Sequence, residues 1–360
     1  MPKNSHSADP GARGRAARSN RPGRFERHDR DLEWDGWDIE DDIETVRTEI
    51  SEERPRKVIT RNTSPDIPFD RSINPYRGCE HGCIYCFARP THAYLGLSPG
   101  LDFETRLIAR PDAANVLETE LRAPSYKPAV IAIGTNTDPY QPIEGRYKIM
   151  REILEVFMEY RHPVGVVTKG TLIERDADLL GEMGRMGLAR VGVSITTLDP
   201  VVSRKMEPRV PSPKRRLAVI RRLTDAGCPV RVMASPMIPG LTDHELEAIL
   251  RAGADAGAVA ASWIMLRLPR EVAPLFAEWL TEHFPDRAKR VLSRVKDVHG
   301  GQLYDPAWGR RMTGQGVFAD LLRHRFDIEA KRLGLDRALP RLRTDLFQCP
   351  TRRGEQMSLF

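Results

Sequence analysis

Three cysteines, Cys79, Cys83 and Cys86, fall in the single stretch Arg77-Gly78-Cys79-Glu80-His81-Gly82-Cys83-Ile84-Tyr85-Cys86-Phe87 of this 360-residue chain. The spacing C-x3-C-x2-C lets three thiolates reach one metal centre from one loop, and soft sulfur ligands select iron–sulfur clusters, zinc or copper(I). A closed structural zinc site wants four ligands, so a set of three points to a centre with an open position. Zinc completed by His81 competes with that reading, although His81 would have to fold back into its own loop. A disulfide framework fits poorly, because five cysteines in so long a chain, without a secretory leader, suit a reducing compartment. Tyr85 and Phe87 have an ordinary alternative as core aromatics.

Ordered elements must hold such a loop from both sides. Residues 72–77 are expected as a strand feeding the loop, with Pro75 tolerable near its end, and 91–95 as a short helix. Residues 103–109 read as strand-like, and 112–121 as a helix with Pro111 placed for its first turn. Short apolar runs at 129–133, 164–167, 190–195, 230–234 and 259–266 then alternate with amphipathic stretches at 147–160, 172–186, 213–226, 243–256 and 272–283. Buried strands separated by amphipathic helices argue for parallel βαβ units with both sheet faces covered. About six such units make an α/β fold of the open, partial (β/α)6 kind rather than a closed eight-stranded barrel.

In parallel α/β folds ligands gather at the carboxyl ends of the strands. The polar strand-end segments are Gly134-Thr135-Asn136-Thr137-Asp138-Pro139, Thr168-Lys169-Gly170, Ser194-Ile195-Thr196-Thr197 and Ser235-Pro236-Met237-Ile238-Pro239-Gly240. Turn formation accounts for most of their Gly, Asn, Asp and Pro. It does not call for Lys169 or Ser194.

The order of these segments resembles the radical S-adenosylmethionine (SAM) superfamily, and within it the branch of spore photoproduct lyase and its "DNA repair photolyase" relatives. The likeness runs from about Ile73 to Glu245, through Asn74-Pro75-Tyr76-Arg77-Gly78-Cys79, the cysteines with Tyr85 before the last, 134–144, Val167-Thr168-Lys169-Gly170, Val193-Ser194-Ile195, Glu207-Pro208-Arg209 and Ser212-Pro213. It implies that Cys79, Cys83 and Cys86 hold a [4Fe–4S] cluster whose open iron chelates SAM, which is cleaved to methionine and a 5′-deoxyadenosyl radical. It also implies that Tyr85 and the strand-end residues Thr135, Asn136, Thr137, Asp138, Lys169 and Ser194 hold SAM, with Glu207 and Arg209 beside the same pocket. One departure is chemical: Thr135 stands where the lyase has a hydrogen-donating cysteine, and a hydroxyl is a much poorer hydrogen-atom donor than a thiol. Cys228 reads as a small buried hydrophobe, which leaves Cys349 as the candidate donor.

The net charge is +6, from 56 Lys and Arg against 50 Asp and Glu, and it is uneven. Residues 1–30 are basic and aperiodic, and 31–53 turn acidic. Together 1–57 are expected as a disordered charged tail, followed by a core at 58–270, a mainly helical extension at 271–345 and a short tail at 346–360. The Arg-rich start lacks an apolar segment, Asp9, Glu26 and Asp29 count against a transit peptide, and no apolar run approaches a membrane span, so a cytoplasmic protein without membrane contact is expected. Basic residues cluster at Arg204, Lys205, Lys214, Arg215, Arg216, Arg221 and Arg222, and again from Arg323 to Arg343, which suits phosphate contact as well as plain solvated helix faces. The segment Gln356-Met357-Ser358-Leu359-Phe360 resembles the peptide that binds bacterial DNA sliding clamps, with packing of Leu359 and Phe360 on their own domain as the alternative.

The expectation is a radical SAM enzyme, lyase-like and acting on nucleic acid in repair or modification, reduced by a flavodoxin or ferredoxin. A protein or small-molecule substrate is the rival enzyme reading. A non-catalytic, metal-bearing clamp-binding protein is the rival of another class.

Overall fold

The computed structural model describes residues 14–25, 47–337, 339 and 341–350. Its strands are β1 (Glu49–Glu52), β2 (Thr60–Arg61), β3 (Arg71–Ile73), β4 (Tyr76–Arg77), β5 (Arg106–Ala109), β6 (Ile131–Ile133), β7 (Val164–Thr168), β8 (Ala189–Ser194), β9 (Val230–Met237) and β10 (Ala260–Met265). The main sheet runs in the order β10-β9-β8-β7-β6-β3-β2. Every neighbour pair from β3 to β10 is parallel, and β2 adds an antiparallel edge. Six parallel strands in sequential order are the (β/α)6 arrangement that the alternation of apolar runs predicts.

The helices form where local chemistry starts them and one apolar stripe pays their ordering entropy. Pro213–Asp225 is capped by the Ser212 hydroxyl, which accepts from Arg215 N, and has Pro213 in its first turn. Its buried residues Arg216, Val219, Ile220 and Leu223 recur at the spacing of one helix face. Fully burying each apolar one contributes roughly 1.5–3 kcal/mol. Asp199 starts the short helix Pro200–Met206 in the same way, accepting from Val201 N and Val202 N; periodicity does not reveal an element of this length.

Several expectations need correction. The strand expected over 72–77 is broken at Asn74-Pro75, where proline supplies no N–H to the ladder. Its second part, β4, leaves the main sheet and joins β5 and β1 in a separate three-stranded sheet, order β1-β5-β4. Residues 103–105 belong to the helix Leu101–Thr105, so β5 begins only at Arg106. The helix expected at 147–160 is two, Glu144–Tyr147 and Ile149–Glu159, divided at Lys148 with φ 55°.

Order also begins well before residue 58. Ala16 and Ala17 are buried, and their N–H groups donate to the Glu104 carboxylate at 3.1 and 3.0 Å. A fully buried carboxylate needs such donors, and the chain around Ala16 supplies them. The segment continues along the extension, with Arg18 on Glu282 at 3.0 Å and Arg24 near Glu271 at 3.4 Å. Residues 1–13 and 26–46, like Gln356 to Phe360, lie outside the described residues.

Two large apolar clusters make up most of the interior among the described residues. The larger fills the space between the sheet and its helices. The smaller gathers Cys83, Ile84 and Tyr85 with Ile238, Leu241, Phe276, Trp279, Val291 and Val295. The first helices of the extension, Val272–His283 and Pro285–Val298, therefore support the cysteine loop directly, and Trp279 Nε1 donates to Lys205 O at 3.0 Å. Among the described residues no helix is long and apolar enough to cross a membrane.

Candidate functional site

Cys79, Cys83 and Cys86 are free thiols lining one cavity of about 190 Å³ at the carboxyl ends of the strands. Left-handed backbone at Gly78 and Gly82, φ 75° and 64°, lets the loop turn this tightly. A Cβ on Gly82 would stand 2.5 Å from Glu104 Oε2. The buried Arg89 ties the loop from below, donating to the Gly82 and Cys83 carbonyls, each at 3.0 Å, and pairing with Glu104 Oε1 at 2.5 Å. Gln141 holds the other end, accepting from Glu80 N at 2.8 Å and donating to Gly78 O at 3.2 Å. The Arg89–Glu104 pair and Gln141 were missed by the sequence reading, because a residue that serves backbone carbonyls has no motif of its own.

The three thiols stand near one another, Cys83 and Cys86 both acting on the charge of Cys79. His81, the fourth ligand in the competing zinc reading, is buried with Nδ1 3.2 Å from Asp138 Oδ2, without the alignment of a hydrogen bond. Burial pushes all three thiols above their ordinary range. A cation at the site is what would favour their thiolate forms.

Asp138 is the clasp of the strand-end segments. It accepts from Thr168 Oγ1 at 2.6 Å, Lys169 N at 2.7 Å and Tyr140 N at 2.9 Å. Burial would raise its pKa, but His81 and these donors outweigh burial and hold it below the usual carboxylate range. Gly134, φ 86°, is required where β6 ends against β7, since a Cβ there would lie 1.9 Å from Val167 O.

Beneath the cavity lies a buried polar core centred on Glu207. Its carboxylate receives Tyr85 Oη, Thr196 Oγ1 at 2.9 Å and Arg216 Nη2 at 2.8 Å, and Lys169 Nζ is 3.5 Å away. Arg216 also donates to Ser194 O at 2.9 Å. Burial acts to raise the Glu207 pKa, yet Arg216 and Lys169 outweigh it and hold the carboxyl down to about 2. Tyr85 and Lys169 are thus fixed from below while facing the cavity, with Lys169 Nζ also donating to Ser235 O at 3.3 Å.

Of the residues expected at the site, Cys79, Cys83, Tyr85, Cys86, Asn136, Thr137, Asp138, Lys169 and Ser194 line the cavity together. Thr137 is committed to the backbone, its hydroxyl donating to Tyr76 O at 3.0 Å. Thr135 stays half-buried in the turn after β6, outside the lining. Arg209 pairs with Glu80 Oε1 at 3.2 Å instead of entering the cavity. Cys349 is exposed and lies far from the site: Gln348 N donates to Tyr160 O at 3.0 Å and Arg122 to Pro350 O at 2.9 Å, which sets it at the amino end of β7. Cys228 is buried as expected. Ser235, whose hydroxyl is buried against the cavity with no partner among the described residues, and Arg267 also line it; of these two only Ser235 lay in a segment singled out beforehand.

Much of the basic surface is locally neutralised. Arg323 pairs with Asp320, Arg325 with Glu247, Arg332 with Glu329 and Arg343 with Asp345, each at 2.6 Å. Arg216, counted in the other basic cluster, is wholly buried on Glu207.

A family model described as the radical SAM superfamily matches residues 73–252. An uncharacterized protein of Mycobacterium tuberculosis is 38% identical over 261 residues, covering 72% of this chain and 76% of that protein. An uncharacterized protein of Methanocaldococcus jannaschii is 26% identical over 200 residues, 55% of this chain and 71% of that one. Among solved structures, spore photoproduct lyase complexed with dinucleoside spore photoproduct aligns with a TM-score of 0.56 at 15% identity, covering 79% of this chain and 78% of that one. At that identity the likeness is one of fold.

Proposed function

The chain belongs to the radical SAM superfamily, and from that premise we propose that it is a SAM-cleaving enzyme that abstracts hydrogen from a nucleic-acid substrate, with a lyase-like reaction in repair or modification. One observation carries this: three free thiols share one cavity with the Lys169 amine, the Asn136 amide and the hydroxyls of Ser194 and Ser235. Cys79, Cys83 and Cys86 would hold a [4Fe–4S] cluster. Three thiols without a fourth protein ligand among the described residues suit a cluster that keeps one iron open better than a closed zinc site. Held there and reduced, such a cluster would supply the single electron needed to cleave SAM.

The chain's own residues bind and orient. Lys169 offers a cation to the SAM carboxylate while Glu207 and Ser235 O keep it in place. Ser235 Oγ, buried without a partner, and the Asn136 and Ser194 side chains are suited to the polar groups of the same ligand. Tyr85, pinned through its hydroxyl to Thr196 and Glu207, gives the cavity a rigid aromatic wall. The apolar residues Val167, Met233, Ile264 and Met265 keep water away from a radical.

Nucleic acid as substrate is supported by the positive net charge and, by fold analogy, by the dinucleoside lesion bound to spore photoproduct lyase. A base would have to leave its stack to reach the cavity. The test is anaerobic reconstitution with iron and sulfide, reduction with dithionite, addition of SAM and assay of 5′-deoxyadenosine, with Cys83→Ala as control. Formation by the wild type alone supports the reading. Zinc in place of iron, with no 5′-deoxyadenosine from either protein, would remove it.

A further inference from the structure

Two long cationic side chains line the cavity, Lys169 and Arg267. Lys169 is engaged by Glu207 and the Ser235 carbonyl. Arg267 is different. It stands just beyond β10, half-buried, and among the described residues its guanidinium makes no hydrogen bond and no ion pair. Its one close partner is the Phe87 ring, whose centre lies 4.3 Å from the guanidinium carbon. Phe87 follows the cysteine Cys86, lines the same cavity and is 44% exposed, so the stacked pair sits at the rim where the cavity meets solvent.

The surroundings of Arg267 are those of a cation awaiting an anion. Burial holds its pKa below the ordinary value, and Arg311 nearby acts in the same sense against Tyr304, Cys86 and Asp66. Arg311 is already taken by Asp66 at 2.5 Å and Ser64 Oγ at 2.6 Å, and lies 4.2 Å from the ring centre of Trp308, which is 57% exposed. A second arginine–aromatic pair thus lies near the one at the rim. Stacking on Phe87 restrains the guanidinium while leaving its donors unused, and a planar fork of donors matches a phosphate with two hydrogen bonds.

We propose that Arg267, positioned by Phe87, receives a phosphodiester of the substrate strand at the cavity mouth, next to the nucleotide that enters. This rests on the nucleic-acid reading above and gives that reading a contact residue. Lysine at this position would keep the charge and lose the fork.

The experiment measures binding of a fluorescein-labelled single-stranded oligothymidylate to the reconstituted full-length protein by anisotropy, over a series of salt concentrations. One phosphate contact to a single strand contributes about 0.7 to the slope of log K against log salt. Arg267→Gln is expected to lower the slope by about that amount, and Arg267→Lys to keep the slope while weakening binding. Phe87→Leu should weaken binding about 2- to 30-fold, with Phe87→Trp restoring it. Iron content and the cluster's visible absorbance verify that each Phe87 variant is loaded. Arg323→Gln, which removes an exposed charge on the helix Val317–Arg332, should leave the slope unchanged. A wild-type slope in Arg267→Gln overturns the assignment and leaves the nucleic-acid reading standing. So does a loss of SAM affinity in equilibrium dialysis with no change in slope, which would move Arg267 to the cofactor. Absence of salt-dependent binding by the wild type overturns both.

Discussion

Replacing Glu207 by glutamine tests whether the polar core under the cavity is held by charge. Glu207 and Arg216 are 2.8 Å apart with neither side chain exposed, so Glu207→Gln leaves a guanidinium buried without its counter-ion. Breaking such a pair costs about 3–5 kcal/mol. The titration of Glu207 gives a second measure. A carboxyl held at about 2 in the folded chain against an ordinary 4.5 contributes about 3 kcal/mol, present above the unfolded value and lost as pH falls through the folded one. The two magnitudes agree. Urea denaturation of the reduced, anaerobic protein at pH 6 should therefore show Glu207→Gln destabilised by about 3–5 kcal/mol. Between pH 6 and pH 3.5 the gap from the wild type should narrow by about 1 kcal/mol, because the unfolded wild type takes up a proton there and the folded form does not. Adding Arg216→Met to Glu207→Gln should recover part of the loss by removing the stranded charge. A loss below about 1 kcal/mol at pH 6, or a gap that does not move with pH, would refute the account.

Four further outcomes follow from the same geometry. Lys169→Ala should weaken SAM binding in equilibrium dialysis about 10- to 100-fold, the loss of one charge-assisted contact, with iron content unaltered. Gly82→Ala should lower iron content after reconstitution and destabilise the protein by about 1–3 kcal/mol, because its Cβ meets Glu104 at left-handed φ. Arg89→Met should cost about 3–5 kcal/mol in urea melts by stranding Glu104, whose side chain is wholly buried. Cys349→Ala should leave 5′-deoxyadenosine formation at the wild-type rate, since that thiol lies at the amino end of β7.

What could be read beforehand was whatever repeats or clusters along the chain. The cysteine spacing, the alternation that makes β6 to β10, and Lys169 and Ser194 at strand ends are local patterns, and they converge in space because parallel strands bring their carboxyl ends together. Misread were places where a short element obeys a distant partner. The stretch 103–109 reads simply as strand-like, yet only its second half is a strand, β5, and it pairs with β1 and β4 away from the main sheet. Glu104 and Arg89 look like surface charges in a string of letters, whereas their pairing and the N–H groups of Ala16 and Ala17 make a buried carboxylate tolerable. Arg209 sits two residues from Glu207, but the turn after the helix Pro200–Met206 sends it to Glu80 on another wall. Charge runs mislead for a related reason: counted along the chain the basic clusters look like one field, whereas in space most of those arginines answer a carboxylate one turn or one element away.

The seating of residues around Ala16 also orders events in time. This segment is made before its partners: Glu104 follows Ala16 by 88 residues, and Glu282, the partner of Arg18, follows it by 264. Closing loops of that length carries an entropy that nothing nearby repays until the intervening barrel exists. The residues around Ala16 are therefore expected to take their place only after the strands and helices between them and Glu282 have formed.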